Sequence, residues 1–268
     1  MSGGDNTIKI PPGARGLLQG QLRQMLQQED LRRLVLKPDQ GKAIEVTCRS
    51  SCSNHFITTG RYCRFADWRF IHRARLGVVE LNGTRRFNAG DRRCRRCGHN
   101  LETLPHVLNH CRMHSTAWKR RHNNIVDRLL RASRVTGTTI YQDQRVPLAS
   151  SSLRPDITII DEVSKTVVIV DVTIPFENRP RAFELAREEK LTKYGPLAAE
   201  LEDQGFNVYL NALIVGSLGG WDPANEGVLR RLNISRQYAR TMRQLMCSET
   251  IGWSRDIYVE HLTGTRQY

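Results

Sequence analysis

The run Thr166 to Ile174, Thr-Val-Val-Ile-Val-Asp-Val-Thr-Ile, does most to limit what this chain can fold into. Its residues are apolar at odd and even positions alike, so a strand made from it must be covered on both faces. Ile157 to Ile160 reads as a neighbouring strand and Phe206 to Val215 as a third. Between the last two lies Arg181 to Gln204, a helix with Asn178 and Pro180 as start signals and Gly205 as its stop. Asn124 to Ala132 and Asn225 to Met246 read as further helices. This alternation predicts an α/β domain over residues 116–268, a mixed sheet flanked by helices.

Ahead of that domain the chain is basic. Residues 1–122 carry 23 Lys and Arg against 9 Asp and Glu, while residues 123–268 carry 18 against 18. The whole net charge of +14 therefore lies in the first part, as expected of a polyanion-binding front end. Residues 1–13, with their Gly and Pro, are expected to be loose. From Ala14 to Leu36, leucines recur at helical spacing among Gln and Arg, and Pro38 and Gly41 end the pattern. Residues 61–88 interleave Arg61, Arg64, Arg69, Arg73, Arg75, Arg85 and Arg86 with Tyr62, Phe65, Trp68, Phe70 and Phe87. That mixture suits stacking on bases and pairing with phosphates. It also suits a small helical core with a solvated basic face. A basic helical segment over 1–90 is the expectation, with Arg69, Arg73 and Arg75 as its nucleic-acid contacts.

The first residues are polar and lack a secretory signal, and no apolar run approaches a membrane span. Seven unevenly spread cysteines do not read as a secreted disulfide framework, so a reducing compartment is expected.

Four residues within 91–115 stand out. Cys94, Cys97, His106 and Cys111 give the spacing C-x2-C-x8-H-x4-C. Thiolates and an imidazole in so short a window can surround Zn2+ tetrahedrally, and metal would supply the folding energy that so small a segment cannot find in a core. His99 and His110 are rival ligands. With every position filled by protein the site would be structural. Arg92, Arg93, Arg95 and Arg96 around the first cysteine pair are candidate phosphate contacts. Cys48 and Cys52 with His55 form a weaker second set.

The α/β domain carries a carboxylate pair. Arg154-Pro155-Asp156 precedes one strand and Asp171 lies within the next, with fourteen residues between the two acids. A charge inside Val168-Ile169-Val170-Asp171-Val172 must be paired or bind a cation. Two carboxylates from neighbouring strands can converge on a hard divalent cation, Mg2+ or Mn2+, which activates a water and stabilises charge on an attacked phosphate. A lysine often stands two residues after the second acid in such nuclease cores, but here that place is Thr173. Lys190, on the following helix, is the next candidate, with Tyr194 on the same face. This requires that Phe183, Lys190 and Tyr194 turn inward and that Lys193 point elsewhere. The bland alternatives are an exposed lysine in Glu188-Glu189-Lys190, a Pro-Asp turn at Asp156 and a buried salt bridge at Asp171.

Taken in order, the basic segment with Phe70-Ile71-His72-Arg73-Ala74-Arg75-Leu76, the Cys-Cys-His-Cys knuckle, an Arg120-Arg121-His122-Asn123 helix start, Arg-Pro-Asp, Asp171 and the Lys190/Tyr194 helix resemble one known arrangement. It is the C-terminal region of site-specific non-LTR retrotransposon polyproteins, whose restriction-like endonuclease belongs to the PD-(D/E)xK superfamily. The resemblance covers roughly residues 30–250. It implies a restriction-endonuclease-like core and a Mg2+-dependent nickase whose cut exposes a 3′ hydroxyl for target-primed reverse transcription. Asp156 and Asp171 match its metal acids and Lys190 its displaced lysine. Target duplex DNA and the element RNA are the implied partners, a nuclear location follows, and Arg120 and Arg121 join the nucleic-acid contacts. No Tyr-x-Asp-Asp polymerase signature is present. Two other readings stay open, a DNA- or RNA-binding module that has kept the fold and lost the chemistry, and a structure-specific nuclease for branched DNA.

Overall fold

The apolar run becomes strand β3 (Thr166–Thr173), set between β2 (Ile157–Asp161) and β4 (Asn207–Ile214), with β1 (Thr139–Gln142) at the edge beside β2. The computed structural model describes residues 15–84 and 90–268. The expected loose segment 1–13 and the residues Arg85, Arg86 and Phe87 lie outside the described residues. β2 is antiparallel to both β1 and β3, and β4 runs parallel to β3, so the sheet is mixed, as expected. The short, exposed β1 carries too little apolar patterning to announce itself in the sequence.

Helix α6 (Arg179–Asp203) connects β3 to β4 and covers one face. Ile160, Val167 and Ile169 pack there beneath Tyr194, Leu197 and Leu201. On the other face Ile157, Ile159, Val170 and Val172 meet Ile125 and Leu129 of α5 (Ser115–Ala132) and Met242 and Met246 of α8 (Arg236–Thr263). β3 alternates between two apolar layers, which is why its sequence shows no polar face. Two expected helices differ in extent. Helix α5 starts at Ser115, so Arg120 to Asn123 lie within it and not at its start. The helix expected over Asn225–Met246 is two, α7 (Glu226–Arg231) and α8, parted where Asn233 takes a positive φ of 52°.

The first part of the chain is helical. Helix α1 (Arg15–Val35) is followed by α2 (Gly41–Thr47), the single turn α3 (Phe56–Thr59) and α4 (Phe65–Arg75). Phe70, Ile71 and Ala74 of α4 share one buried cluster with Val107 and Leu108 of the cysteine-rich segment, Ala117 of α5, and Ile251 and Ile257 of α8. The 28-residue α8 thus carries apolar residues into both cores. Among the described residues no helix is long and apolar enough to cross a membrane.

Candidate active site

The antiparallel register of β2 and β3 pairs Ile157 with Val170. Asp156 is the residue just before β2, at the strand end near Asp171, and both acids act on the phenol of Tyr194. The parity of Val167 and Ile169 puts Asp171 on the face under α6. Thr173 has the same parity, so the lysine missing there is missing from this face.

Lys190 occupies that space from α6, its Nζ 2.9 Å from Asp171 Oδ2. Asp171 is buried at 3% exposure. The ammonium lies within ion-pair distance but off hydrogen-bond geometry, and Asp171 Oδ2 has no hydrogen-bond partner among the described residues. One turn on, Tyr194 is buried and donates its hydroxyl to the Arg154 carbonyl at 3.0 Å. Burial pushes the Tyr194 phenol up, and the neighbouring Asp171 and Asp156 push it further, so it stays a neutral donor. Phe183 is buried, as the inward face of α6 requires. Lys193 differs from expectation, since its Nζ donates to the Tyr194 hydroxyl at 3.0 Å and lies over the ring.

Asp156 is held by partners that the sequence did not connect to it. Its Oδ2 accepts the Val172 N–H at 2.6 Å and lies 3.0 Å from His122 Nε2, which is also 3.1 Å from the Val172 carbonyl. The other ring nitrogen of His122 faces Asn123 Oδ1 at 3.2 Å. Burial alone would lower the His122 pKa, but Asp156 outweighs it and raises the value to about 9. Two carboxylates that both act on Tyr194, one with an oxygen lacking hydrogen bonds, are the kind of donors that Mg2+ or Mn2+ takes. A cleft of about 370 Å³ opens beside the partners of both acids, lined by His122, Lys190, Glu189, Thr173, Asn109 and His110 among others.

The cysteine-rich segment closes on itself beside this cleft. Ligand atoms of Cys94, Cys97, His106 and Cys111 all lie within 4.8 Å of one another. Three thiols and an imidazole converging this closely fit a zinc ion. Gly98, at φ 73°, makes the turn after the first pair and donates its N–H to the Cys94 carbonyl. Of the rival ligands, His99 stacks on the His106 ring at 4.5 Å and His110 turns to the cleft. His106 to His110 form a π-helical turn from which Asn109 donates to the Ile174 carbonyl at 2.9 Å, just past β3. His261 of α8 also reaches the cluster, fully buried, 2.8 Å from Glu102 Oε1 and 3.0 Å from His114. No spacing rule links a histidine so far along the chain to the knuckle. Cys48, Cys52 and His55 do not form a metal-binding group among the described residues.

The expected nucleic-acid arginines divide into two groups. Arg75 is 6% exposed and donates to the carbonyls of Leu218 and Ser53 and to Asn54 Oδ1. Arg121 is 3% exposed and bonds Ser254 Oγ, the Leu108 carbonyl and Asn109 Oδ1. Both brace the interior, which corrects their expected role at phosphate. Arg95 clamps the buried Glu102, Arg96 donates to the His261 carbonyl, and Arg92 donates to the Gly83 carbonyl. Arg93 pairs with Asp91, and Arg120 lies over the Tyr268 ring. Arg69 and Arg73 are exposed.

No family model matches the chain. Over 178 residues, 64% of its length, the chain is 30% identical to "Retrovirus-related Pol polyprotein from type-1 retrotransposable element R2" of Popillia japonica. The chain spans about a third of that polyprotein, 36% of its length. It is similar to one part of a retrotransposon polyprotein, and its own structure combines a mixed α/β sheet with a cysteine-histidine cluster.

Proposed function

We propose that the chain is the metal-dependent DNA endonuclease module of a non-LTR retrotransposon, with a restriction-endonuclease-like core that nicks the target duplex. The observation that carries this reading is the Lys190 ammonium set against the buried Asp171, with Lys190 and the Asp156 partner His122 both lining an open cleft. Similarity to part of an R2 polyprotein supports the same class. Asp156 and Asp171 would hold the divalent cation, which when bound supplies a more acidic water and positive charge facing the phosphate. His122 and the Val172 N–H fix one Asp156 oxygen, and Tyr194 holds the Arg154 carbonyl, so the Arg154-Pro155-Asp156 turn is braced from both sides. Lys190 would stabilise negative charge on the phosphate as water attacks. Bond formation from the water oxygen to phosphorus breaks the bond to the 3′ oxygen, which takes a proton and leaves a 3′ hydroxyl fit to prime reverse transcription. Cys94, Cys97, His106 and Cys111 would hold a structural Zn2+. A nuclear location and a role for the element RNA belong to the same reading.

The test is incubation of the full chain with supercoiled plasmid. Open circles that form with Mg2+ and not without it, and that a DNA polymerase extends from the nick, are expected. Plasmid that stays supercoiled with Mg2+ or Mn2+ would overturn the proposal in favour of a non-catalytic binding module.

A further inference from the structure

The outer face of α4 combines an aromatic ring and two cations, none of which the fold uses. Phe65 is 73% exposed, although burying such a ring is favourable. Its one ring contact among the described residues is Trp68, nearly parallel at 11° with centroids 6.0 Å apart. Arg69 and Arg73 follow Phe65 at four-residue steps, so the three side chains form one stripe along the helix. Both arginines are exposed, and neither makes an ion pair or hydrogen bond among the described residues, unlike Arg64, which is tied to Asp67 and Asp256. The stripe borders a groove of about 220 Å³ whose far side is Arg255 and Tyr258 of α8.

We propose that this stripe is a platform for single-stranded DNA, with Phe65 stacking on a base and Arg69 and Arg73 taking adjacent phosphates. A duplex offers phosphates but keeps its bases within its own stack, whereas a single strand offers both a free π-face and regularly spaced charge. Four helical residues advance about 6 Å, a step that lets successive arginines follow one backbone. Arg255 extends the positive wall on α8, although Asp256, 2.8 Å from its Nη1, offsets part of its charge. The choice of DNA rests on the nuclease reading, because opening the duplex around a target site presents a single strand to a second surface of the same chain. Arg75 belongs to the same helix but is buried, so the platform ends at Arg73.

Fluorescence anisotropy of the full chain, in zinc-containing buffer without Mg2+, tests this with a labelled DNA single strand, its duplex and the matching RNA strand. Phe65→Ala weakens single-strand binding about tenfold and leaves duplex binding unchanged, while Phe65→Trp retains single-strand affinity. Arg69→Gln and Arg73→Gln each lower the slope of log affinity against log salt by about 0.7 on the single strand. Phe65→Ala acting on neither form, or on both equally, overturns the platform. RNA bound as tightly as DNA overturns its assignment to DNA. Plasmid nicking by the wild-type chain is a separate measurement. A chain that nicks while its single-strand binding ignores Phe65→Ala refutes the platform alone, and a chain that does not nick while Phe65→Ala still weakens single-strand binding refutes the nuclease alone.

Discussion

His122 Nε2 lies 3.0 Å from Asp156 Oδ2, joining helix α5 to the carboxylate just before β2. Each ring nitrogen faces an oxygen, Asp156 on one side and Asn123 Oδ1 on the other, so the doubly protonated imidazolium fits the site best. This agrees with a pKa raised to about 9 in the folded chain.

A pH dependence of stability follows. Because the folded pKa is raised above the ordinary value near 6.5, the contribution is complete below about pH 6.5 and is lost as pH rises through about 9. It amounts to less than about 3 kcal/mol, since the His122 side chain remains 29% exposed. Urea denaturation with zinc present and Mg2+ absent should show the wild-type midpoint falling across that window and the His122→Gln midpoint changing less. Parallel declines would separate His122 from the effect.

The knuckle should be coupled to the cleft through Asn109, which sits between the candidate zinc ligands His106 and Cys111 and bonds the Ile174 carbonyl. Metal analysis is expected to find one zinc per chain, lost in Cys111→Ser but kept in Asn109→Ala. Asn109→Ala should still slow nicking on the order of tenfold, because the strand that carries Asp171 loses a brace and small displacements of catalytic groups are costly. A full rate in Asn109→Ala, or zinc retained in Cys111→Ser, would contradict this coupling.

Arg75 and Arg121 should behave as stability residues. Truncating either to Ala leaves buried carbonyls unsatisfied and should cost about 2–4 kcal/mol in thermal or urea unfolding. The salt slope of DNA binding should stay as in the wild type, in contrast to Arg69→Gln. A lower slope with unchanged stability would return these two arginines to the nucleic-acid surface.

The sequence was most legible where one periodicity served one purpose. β3 and α6 could be read from apolar patterning and stop signals, and the knuckle from spacing, because those signals are local. The side of α6 that carries Lys190 was legible for the same reason, since Phe183 and Tyr194 mark its inward face. His122, His261 and the buried arginines were not. An arginine that bonds three interior acceptors looks in sequence like one that waits for phosphate, and Arg75 differs from Arg73 only by its direction from the helix axis. The contact of His122 with Asp156 spans 34 residues and depends on how α5 crosses the strand ends, which no spacing encodes.

The central claim is that Asp156, Asp171 and Lys190 form one phosphodiester-cleaving site, and the rate of plasmid nicking at saturating Mg2+ tests it most directly. Asp156→Ala and Asp171→Ala should each abolish Mg2+-dependent nicking. Lys190→Ala should lower the rate by a factor on the order of a hundred, the scale for one positioned charge-stabilising group. Duplex affinity should stay nearly unchanged in all three variants. Nicking at the wild-type rate by any one of them would show that the site lies elsewhere.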